Sequence, residues 1–460
     1  YGSALELRWS LEAISDPASA RRVTEGAPAA AAERSIAVLP FVNMSPDPGQ
    51  EYFCEGLAEE LIHALGQLAE LRVAGRSSSF FFKGRPDAVR RIGEELRVES
   101  VLEGSVRRAG ERLRITVQLV NAADGYHLWS DRYDLAMEDV FAVQDEITAR
   151  VVEALRLRLA DPHRARRRAP PDLEAYHLYL RGRYHWNKRH EGALLAGVRE
   201  FEQAIEKDPL YASAWAGLAD SYALLPSYTL ARPADAMPRA KAAALKALEI
   251  DDRLPDPHAA LGWVAMHYDW DWQGAESHFR RAIELGPGRA TARHWYSFLL
   301  SALARSEEAL LQAQKGAELD PLSLIVLVNL AQPLYFARRY AETIAQARRV
   351  VEMDASFPVG HLWLGLAYAA SGRYAEAAVE QEAFASSYGR SPRGLGVLGH
   401  AKALAGGREE ARALLAELEQ RAEAGEAAAY YAAIVAMGLG ETEAAIGWLE
   451  RAMEERADQL

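Results

Sequence analysis

Residues 359–383 read VGHLWLGLAYAASGRYAEAAVEQEA. Bulky and small residues alternate there at helical spacing. Trp363, Leu364, Gly365 and Tyr368 fall before the turn residue Gly372, and Tyr374 and Ala377 after it. Gly365 permits a close helix crossing, Tyr368 fills the interior, and Gly372 marks the turn between two helices. Working outward, Ala377 belongs to the series Ala309, Thr343, Ala377, Ala411 and Ala445, in which each residue lies 34 positions after the last. A helix–turn–helix unit of this period buries its apolar face only by stacking on the next unit, so the pattern predicts a solenoid.

The period is that of the tetratricopeptide repeat (TPR). Phe201, Ala204 and Pro209 close one earlier unit, Trp215, Leu218, Ala219 and Tyr222 open the next, and further closures come at Pro287 and Pro321. The array is expected over residues 175–460, with about eight units. Its early units are irregular: the second carries an insertion around Leu225–Pro238, and the third holds Asp269-Trp270-Asp271-Trp272. From about Ala290 the register is expected to run regularly to the end.

Upstream of the array the period changes. Residues 1–33 read as a lead-in, with an amphipathic stretch at Leu5–Ile14 and an Ala- and Pro-rich tether beyond it. The continuous apolar run Ile36 to Val42 predicts a strand buried on both faces. Leu57, Leu61, Leu65 and Leu68 predict a helix, Leu71 to Ala74 a short strand, and Ile92 and Leu96 a second helix. Leu113, Ile115, Val117 and Leu119 then alternate with polar residues, as in a half-buried antiparallel strand. It is preceded by Val101–Arg107 across an Ala109-Gly110 turn, and Asp124-Gly125 leads into a third strand, Tyr126 to Tyr133. A helix over 138–160 carries Val140, Val143, Ile147, Val151 and Leu155 on one stripe. Residues 34–160 thus form an α/β domain, βαβα and then an antiparallel meander, with a following helix. Residues 161–174, with Arg164, Arg166, Arg167 and Arg168 before two prolines, read as a solvated linker.

Composition narrows the function classes. A net charge of −12 over 460 residues argues against nucleic-acid binding by this segment as a whole. The single cysteine, Cys54, rules out an internal disulfide and a Cys-based zinc cage, and reads as a packed thiol. No run of 18 apolar residues is present to span a membrane. The acidic, disulfide-free chain points to the cytoplasm, or to the envelope should a leader or membrane segment lie upstream. Because the chain begins at Tyr1 without a signal pattern, it is read as part of a longer polypeptide.

No constellation points to a reaction, so no catalytic residue, cofactor or metal is expected. Gly394-Leu395-Gly396-Val397-Leu398-Gly399 has the G-x-G-x-x-G spacing, but phosphate binding needs a strand before it and a helix N-terminus after it, and here it lies within a repeat helix. Asp269 and Asp271 read as turn residues. His177, His185 and His190 are scattered and lack a metal-binding pattern. The candidate functional surface is the concave groove. With Ala290, Leu324 and Pro358 as repeat starts, its inward positions are His294, Phe298, Val328, Gln332, Tyr335, Phe336, Leu362 and Leu366. That lining is apolar and aromatic, and it suits an apolar or amphipathic segment of a partner, or a neighbouring domain of the same chain.

Several stretches together resemble the TolB-like amino-terminal domain: Ser35-Ile36-Ala37-Val38-Leu39-Pro40-Phe41, Tyr52-Phe53, Glu55-Gly56-Leu57-Ala58-Glu59-Glu60-Leu61, Leu71-Arg72-Val73 with Arg76-Ser77-Ser78, Val101-Leu102-Glu103-Gly104-Ser105-Val106, and Leu128-Trp129-Ser130 with Arg132-Tyr133. Ala175-Tyr176 to Asn187-Lys188 resembles the entry to the TPR array that follows such domains. The combination is similar to the C-terminal halves of bacterial multidomain signalling proteins, whose N-terminal effector is a Ser/Thr kinase, a class III adenylate cyclase or a winged-helix regulator. The resemblance implies a non-catalytic regulatory and protein-interaction module. It would bind a protein or peptide and pass the signal to an effector N-terminal to Tyr1. The alternatives are that the whole protein is a kinase or cyclase, or a transcriptional regulator for which this part is the sensor.

Overall fold

A computed structural model describes residues 34–68, 70–85, 88–110, 112–155 and 171–457. The lead-in at 1–33, the end of the helix expected to reach 160, and the arginine-rich part of the linker lie outside the described residues.

The N-terminal region is a mixed sheet with helices on it. Its strands are β1 (Arg34–Val38), β2 (Val42–Asn43), β3 (Leu71–Val73), β4 (Ser100–Ala109), β5 (Arg112–Asn121) and β6 (His127–Ala136), and its helices are α1 (Glu51–Leu65), α2 (Arg76–Phe80), α3 (Val89–Leu96) and α4 (Val140–Ala154). The strand order is β3-β1-β4-β5-β6, with β2 beside β4. β1 pairs parallel with β4, while β4–β5 and β5–β6 are antiparallel.

The apolar run in β1 follows from burial on both faces. Ile36 and Val38 join the main core with Leu57, Leu61, Ile115 and Ile147, whereas Ala37 joins a smaller cluster with Ile92, Leu96 and Val101 on the other face. All five stripe residues of the α4 region, Val140 to Leu155, are buried. The strand expected through Val42 ends at Val38. Pro40 has no N–H to continue the ladder, and Val42 emerges at the sheet edge, 58% exposed. Tyr126, expected to open the third strand after Asp124-Gly125, lies just before β6 at 74% exposure, and β6 runs on to Ala136.

Beyond the sheet the described chain is a succession of eight helix pairs: α5 (Leu173–Asn187) with α6 (Glu191–Lys207), α7 (Ala212–Leu224) with α8 (Pro233–Ile250), α9 (Pro255–Val264) with α10 (Trp272–Leu285), and α11 (Ala290–Ala302) with α12 (Ser306–Leu319). In the fifth pair the first helix is split into α13 (Leu324–Val328) and α14 (Ala331–Phe336), which precede α15 (Tyr340–Met353). Then come α16 (Pro358–Ala370) with α17 (Tyr374–Tyr388), α18 (Pro392–Leu404) with α19 (Arg408–Glu423), and α20 (Ala429–Leu439) with α21 (Thr442–Glu454).

The register residues Ala309, Thr343, Ala377, Ala411 and Ala445 all lie in the first turn or two of second helices, none more than 4% exposed. In each case the amide closes the helix on the residue four before it, at 2.9–3.0 Å. The turn inside each pair contains one residue with left-handed backbone: Arg189, Thr229, Trp270, Ala304, Arg338, Gly372, Gly406 and Gly440. The 34-residue register expected from Ala290 onward runs through the fifth pair, with Arg338 and Thr343 in place, but the first helix of that pair is split. Pro333 cannot donate to the carbonyl of Asn329, and its ring crowds that carbonyl, so the helix breaks there. Among the described residues no helix is long and apolar enough to cross a membrane.

Candidate protein-binding interface

The inner side of the first repeat is already occupied by the chain itself. Helix α1 lies so close to α5 that a Cβ on Gly56 would stand 2.7 Å from the Leu180 side chain. One turn further on, the buried Glu59 carboxylate accepts from Arg183 Nε (3.0 Å) and Nη2 (2.7 Å), from Arg76 Nε (2.9 Å) and from Asn187 Nδ2 (2.9 Å). Burial would raise the Glu59 pKa, but the charges of Arg183 and then Arg76 outweigh it and hold the carboxyl well below the usual range. Arg183 also stands 3.6 Å from Asp220 of α7. Asp256 at the start of α9 pairs with Arg289. Asp220 is pushed up, first by burial and then by the charge of Asp256.

A second contact joins α2 to the turn between the fourth and fifth pairs. The buried Asp320 accepts from Ser78 N (2.7 Å) and Ser78 Oγ (2.6 Å). Leu322 N donates to Ser78 Oγ at 2.8 Å, and Gly75 N to the Leu319 carbonyl at 2.6 Å. The α/β domain is therefore fixed both to the first repeat and to a turn some 140 residues further along the array (Arg183 to Asp320 is 137 positions). Sequence reasoning gave neither Glu59 nor Arg183 a role as an ion-pair partner. The available signal was a charged residue recurring inside otherwise apolar helical stripes.

The groove positions expected from sequence are not equivalent in three dimensions. The rings of His294 and Phe298 meet at 5.2 Å, and Phe298 in turn lies 5.8 Å from Trp263. Burial, and next the charge of Arg189, bring the His294 pKa down to about 3, so the imidazole is neutral. Trp263 packs on His267 at 3.9 Å and on Trp295 at 4.9 Å. On the fifth and sixth pairs, Tyr335 stands 5.6 Å from Phe336, Tyr340 and Trp363 alike. Phe336 is 53% exposed, and Tyr335, Leu362 and Leu366 are half-buried. Gln332 is 7% exposed, and its Oε1 has no hydrogen-bond partner among the described residues. Val328 lies in the core with Leu327 and Val350, 1% exposed, and offers no surface. Trp363, half-buried beside Tyr335, adds aromatic surface, whereas Trp263 is buried in the core at 6% exposure.

The remaining sequence candidates have structural roles. Cys54 is fully buried in α1, and burial pushes its thiol up to about 12. The glycines of the G-x-G-x-x-G stretch lie within α18, where a Cβ on Gly396 would meet Tyr431 at 2.5 Å and one on Gly399 would meet Val435 at 2.8 Å. Asp271 caps α10 through Gly274 N at 2.9 Å, and Asp269 pairs with Lys241 at 2.6 Å. His177 contacts Tyr52 Oη at 3.1 Å, and His190 caps α6. Among the described residues no group of three His, Cys, Asp or Glu is placed to hold a metal ion.

Comparison with known proteins bears on both parts of the chain. Residues 32–150 match the family described as HilA/YgeH-like transcriptional regulator, second domain. Over 249 residues the chain is 40% identical to a Rhizobium meliloti (strain 1021) protein whose name assigns it, provisionally, as adenylate cyclase 3, covering 52% of this chain and 42% of that protein. Over 149 residues it is 25% identical to the transcriptional regulator HilA of Salmonella typhimurium, covering 32% of this chain and 27% of HilA. The chain thus spans less than half the length of either relative. Similar solved structures include the TPR protein YrrB, described as having an unusual peptide-binding site (22% identity, 40% of this chain and 91% of that one, TM-score 0.29). Another is a thermophilic TPR protein of Thermus thermophilus (15% identity, 42% and 99%, TM-score 0.36).

Proposed function

We propose that this chain is the regulatory, protein-binding part of a bacterial signalling protein. The inner face of the fourth to sixth repeats, lined by His294, Phe298, Gln332, Tyr335, Phe336, Leu362 and Leu366, takes an apolar or amphipathic segment of a partner protein. The α/β domain, which resembles the TolB-like domain, is locked to the array and relays occupancy to an effector N-terminal to Tyr1. The observation that carries the reading is the contrast along the array. The first repeat's inward Arg183 and Asn187 are consumed by Glu59, whereas Phe336 keeps half its surface open beside Tyr335 and Trp363. An exposed aromatic group beside further rings is what an interface anchor looks like.

The test is site-specific photo-crosslinking in the native cell. A photoreactive residue at position 336 is expected to capture a discrete partner. The same residue at position 379 on α17, where Val379 is 67% exposed, is expected to capture none. Equal capture at both positions would refute the assignment.

A second reading concerns the whole protein. The 40% identity to the cyclase-named relative, against 25% to HilA, favours a nucleotide cyclase as the effector over a winged-helix DNA-binding domain. Expressing the complete gene product and measuring cyclic AMP formation decides between them.

A further inference from the structure

Repeats in a solenoid ordinarily touch only their neighbours, and two contacts here break that rule. Arg393, at the start of α18, donates through Nη1 to the Ser227 carbonyl at 2.8 Å, across 166 positions. Arg456, just past α21, donates through Nη1 to the Tyr268 carbonyl at 2.8 Å, across 188 positions. The Arg456 guanidinium also lies 4.0 Å above the Trp270 ring. The seventh and eighth repeats are thereby brought back onto the turns of the second and third.

Both receiving turns are irregular. Ser227 sits in a short helix, Pro226–Tyr228, inside the longer connection of the second repeat. Tyr268 sits in a π-helical turn, Ala265–Asp269, that ends on Trp270 at φ 57°. Such π-turns gather at functional positions. The position that Trp270 occupies is Gly372, Gly406 and Gly440 in the last three repeats, where left-handed backbone costs least. A bulky aromatic group there carries a strain cost, and its ring lies against the Arg456 guanidinium. Arg456 is itself left-handed, at φ 54°. Two strained residues that meet across 186 positions of sequence (456 less 270) form a built contact.

We infer that Arg393 and Arg456 latch the repeat array closed on Ser227, Tyr268 and Trp270, and that release of this latch admits a partner segment to the inner face of the fourth to sixth repeats. The second half rests on the inner-face reading above. The first half stands on the contacts alone.

Two variants of the full chain test it. Arg393→Ala with Arg456→Ala removes both donors. Trp270→Gly removes the ring while relieving the left-handed strain, so that loss of folding cannot imitate loss of the latch. Small-angle X-ray scattering is expected to show a larger radius of gyration for the double variant, and an increase in the same direction for Trp270→Gly. Hydrogen exchange at the amides of Thr229, Leu230 and Asp271 is expected to quicken roughly tenfold, with α1 and α5 unchanged. Scattering and exchange like those of the parent chain in both variants would overturn the latch. Crosslinking from position 336 is expected to rise in the latch variants. If the variants expand and that yield does not rise, the latch stands and its gating role falls. If position 336 captures nothing in any form, the inner-face reading falls instead.

Discussion

Replacing Glu59 by Gln tests how the α/β domain is held to the array. The side chain keeps its shape and loses its charge. Glu59 is 3% exposed and accepts four hydrogen bonds, three of them from arginines. A Gln can present one oxygen to Arg183, but its NH2 group then faces Arg76 and Asn187, both donors. Arg183 is left buried without its ion-pair partner, and Asp220 stands 3.6 Å away. Breaking a buried ion pair by removing one partner costs about 3–5 kcal/mol, which at ~1.4 kcal/mol per decade lowers the equilibrium for the docked state by at least a hundredfold. Desolvation already offset much of the original attraction, so removing both charges should cost less than removing one. The assay is a double-mutant cycle of Glu59→Gln and Arg183→Met, read by denaturant unfolding and by hydrogen exchange in α1 and α5. Glu59→Gln is expected to be strongly destabilising, with the double variant recovering part of the loss. A change below about 0.5 kcal/mol for Glu59→Gln, or additivity of the two substitutions, would refute the argument.

Four further outcomes follow from the same structure. Because the Glu59 pKa is depressed on folding, its stabilisation is complete above the ordinary carboxylate pKa and is lost as pH falls through the depressed value. The stability difference between the parent chain and Glu59→Gln, measured by denaturant unfolding, should therefore stay constant from neutral pH down to about 4.5 and shrink below it. Gly365→Ala would drive a Cβ into the side-chain amide of the buried Gln381, and a loss of about 1–3 kcal/mol is expected in thermal or denaturant unfolding. Gly447→Ala, with nothing within 4 Å, is expected instead to gain about 0.5–1 kcal/mol through helix propensity. Cys54, buried and with its thiol pushed up to about 12, should react with a thiol reagent only as fast as the chain opens, and rapid labelling under native conditions would contradict its packing.

The repeat array is legible because its packing is local. Each unit sets its own small, bulky and turn positions at short range, so Ala309 to Ala445 and Gly372 announce the helix pairs without knowledge of the rest. The left-handed turn residues Ala304, Arg338, Gly372, Gly406 and Gly440 keep the same period, but only the glycines advertise it by residue type. The sheet is legible where one face is polar, as in β5. It misleads at Val42, where an apolar residue lies on an edge. The candidate groove is legible only in outline. Helical position does not say which inward residues the superhelix covers, so Val328 in the core and Phe336 at the surface look alike in sequence.

What the sequence determines by itself is therefore the kind of molecule: a mixed α/β domain followed by stacked helix pairs, since periods of two, about three and a half, and 34 residues are properties of neighbouring residues. What only the tertiary structure decides is how the parts engage one another. Glu59 with Arg183, Ser78 with Asp320, and Trp270 with Arg456 are 124, 242 and 186 positions apart (each the difference of the two residue numbers). A contact across such a span leaves no periodic trace. It depends on accumulated small rotations between successive repeats, and these are fixed by the packing of the whole array.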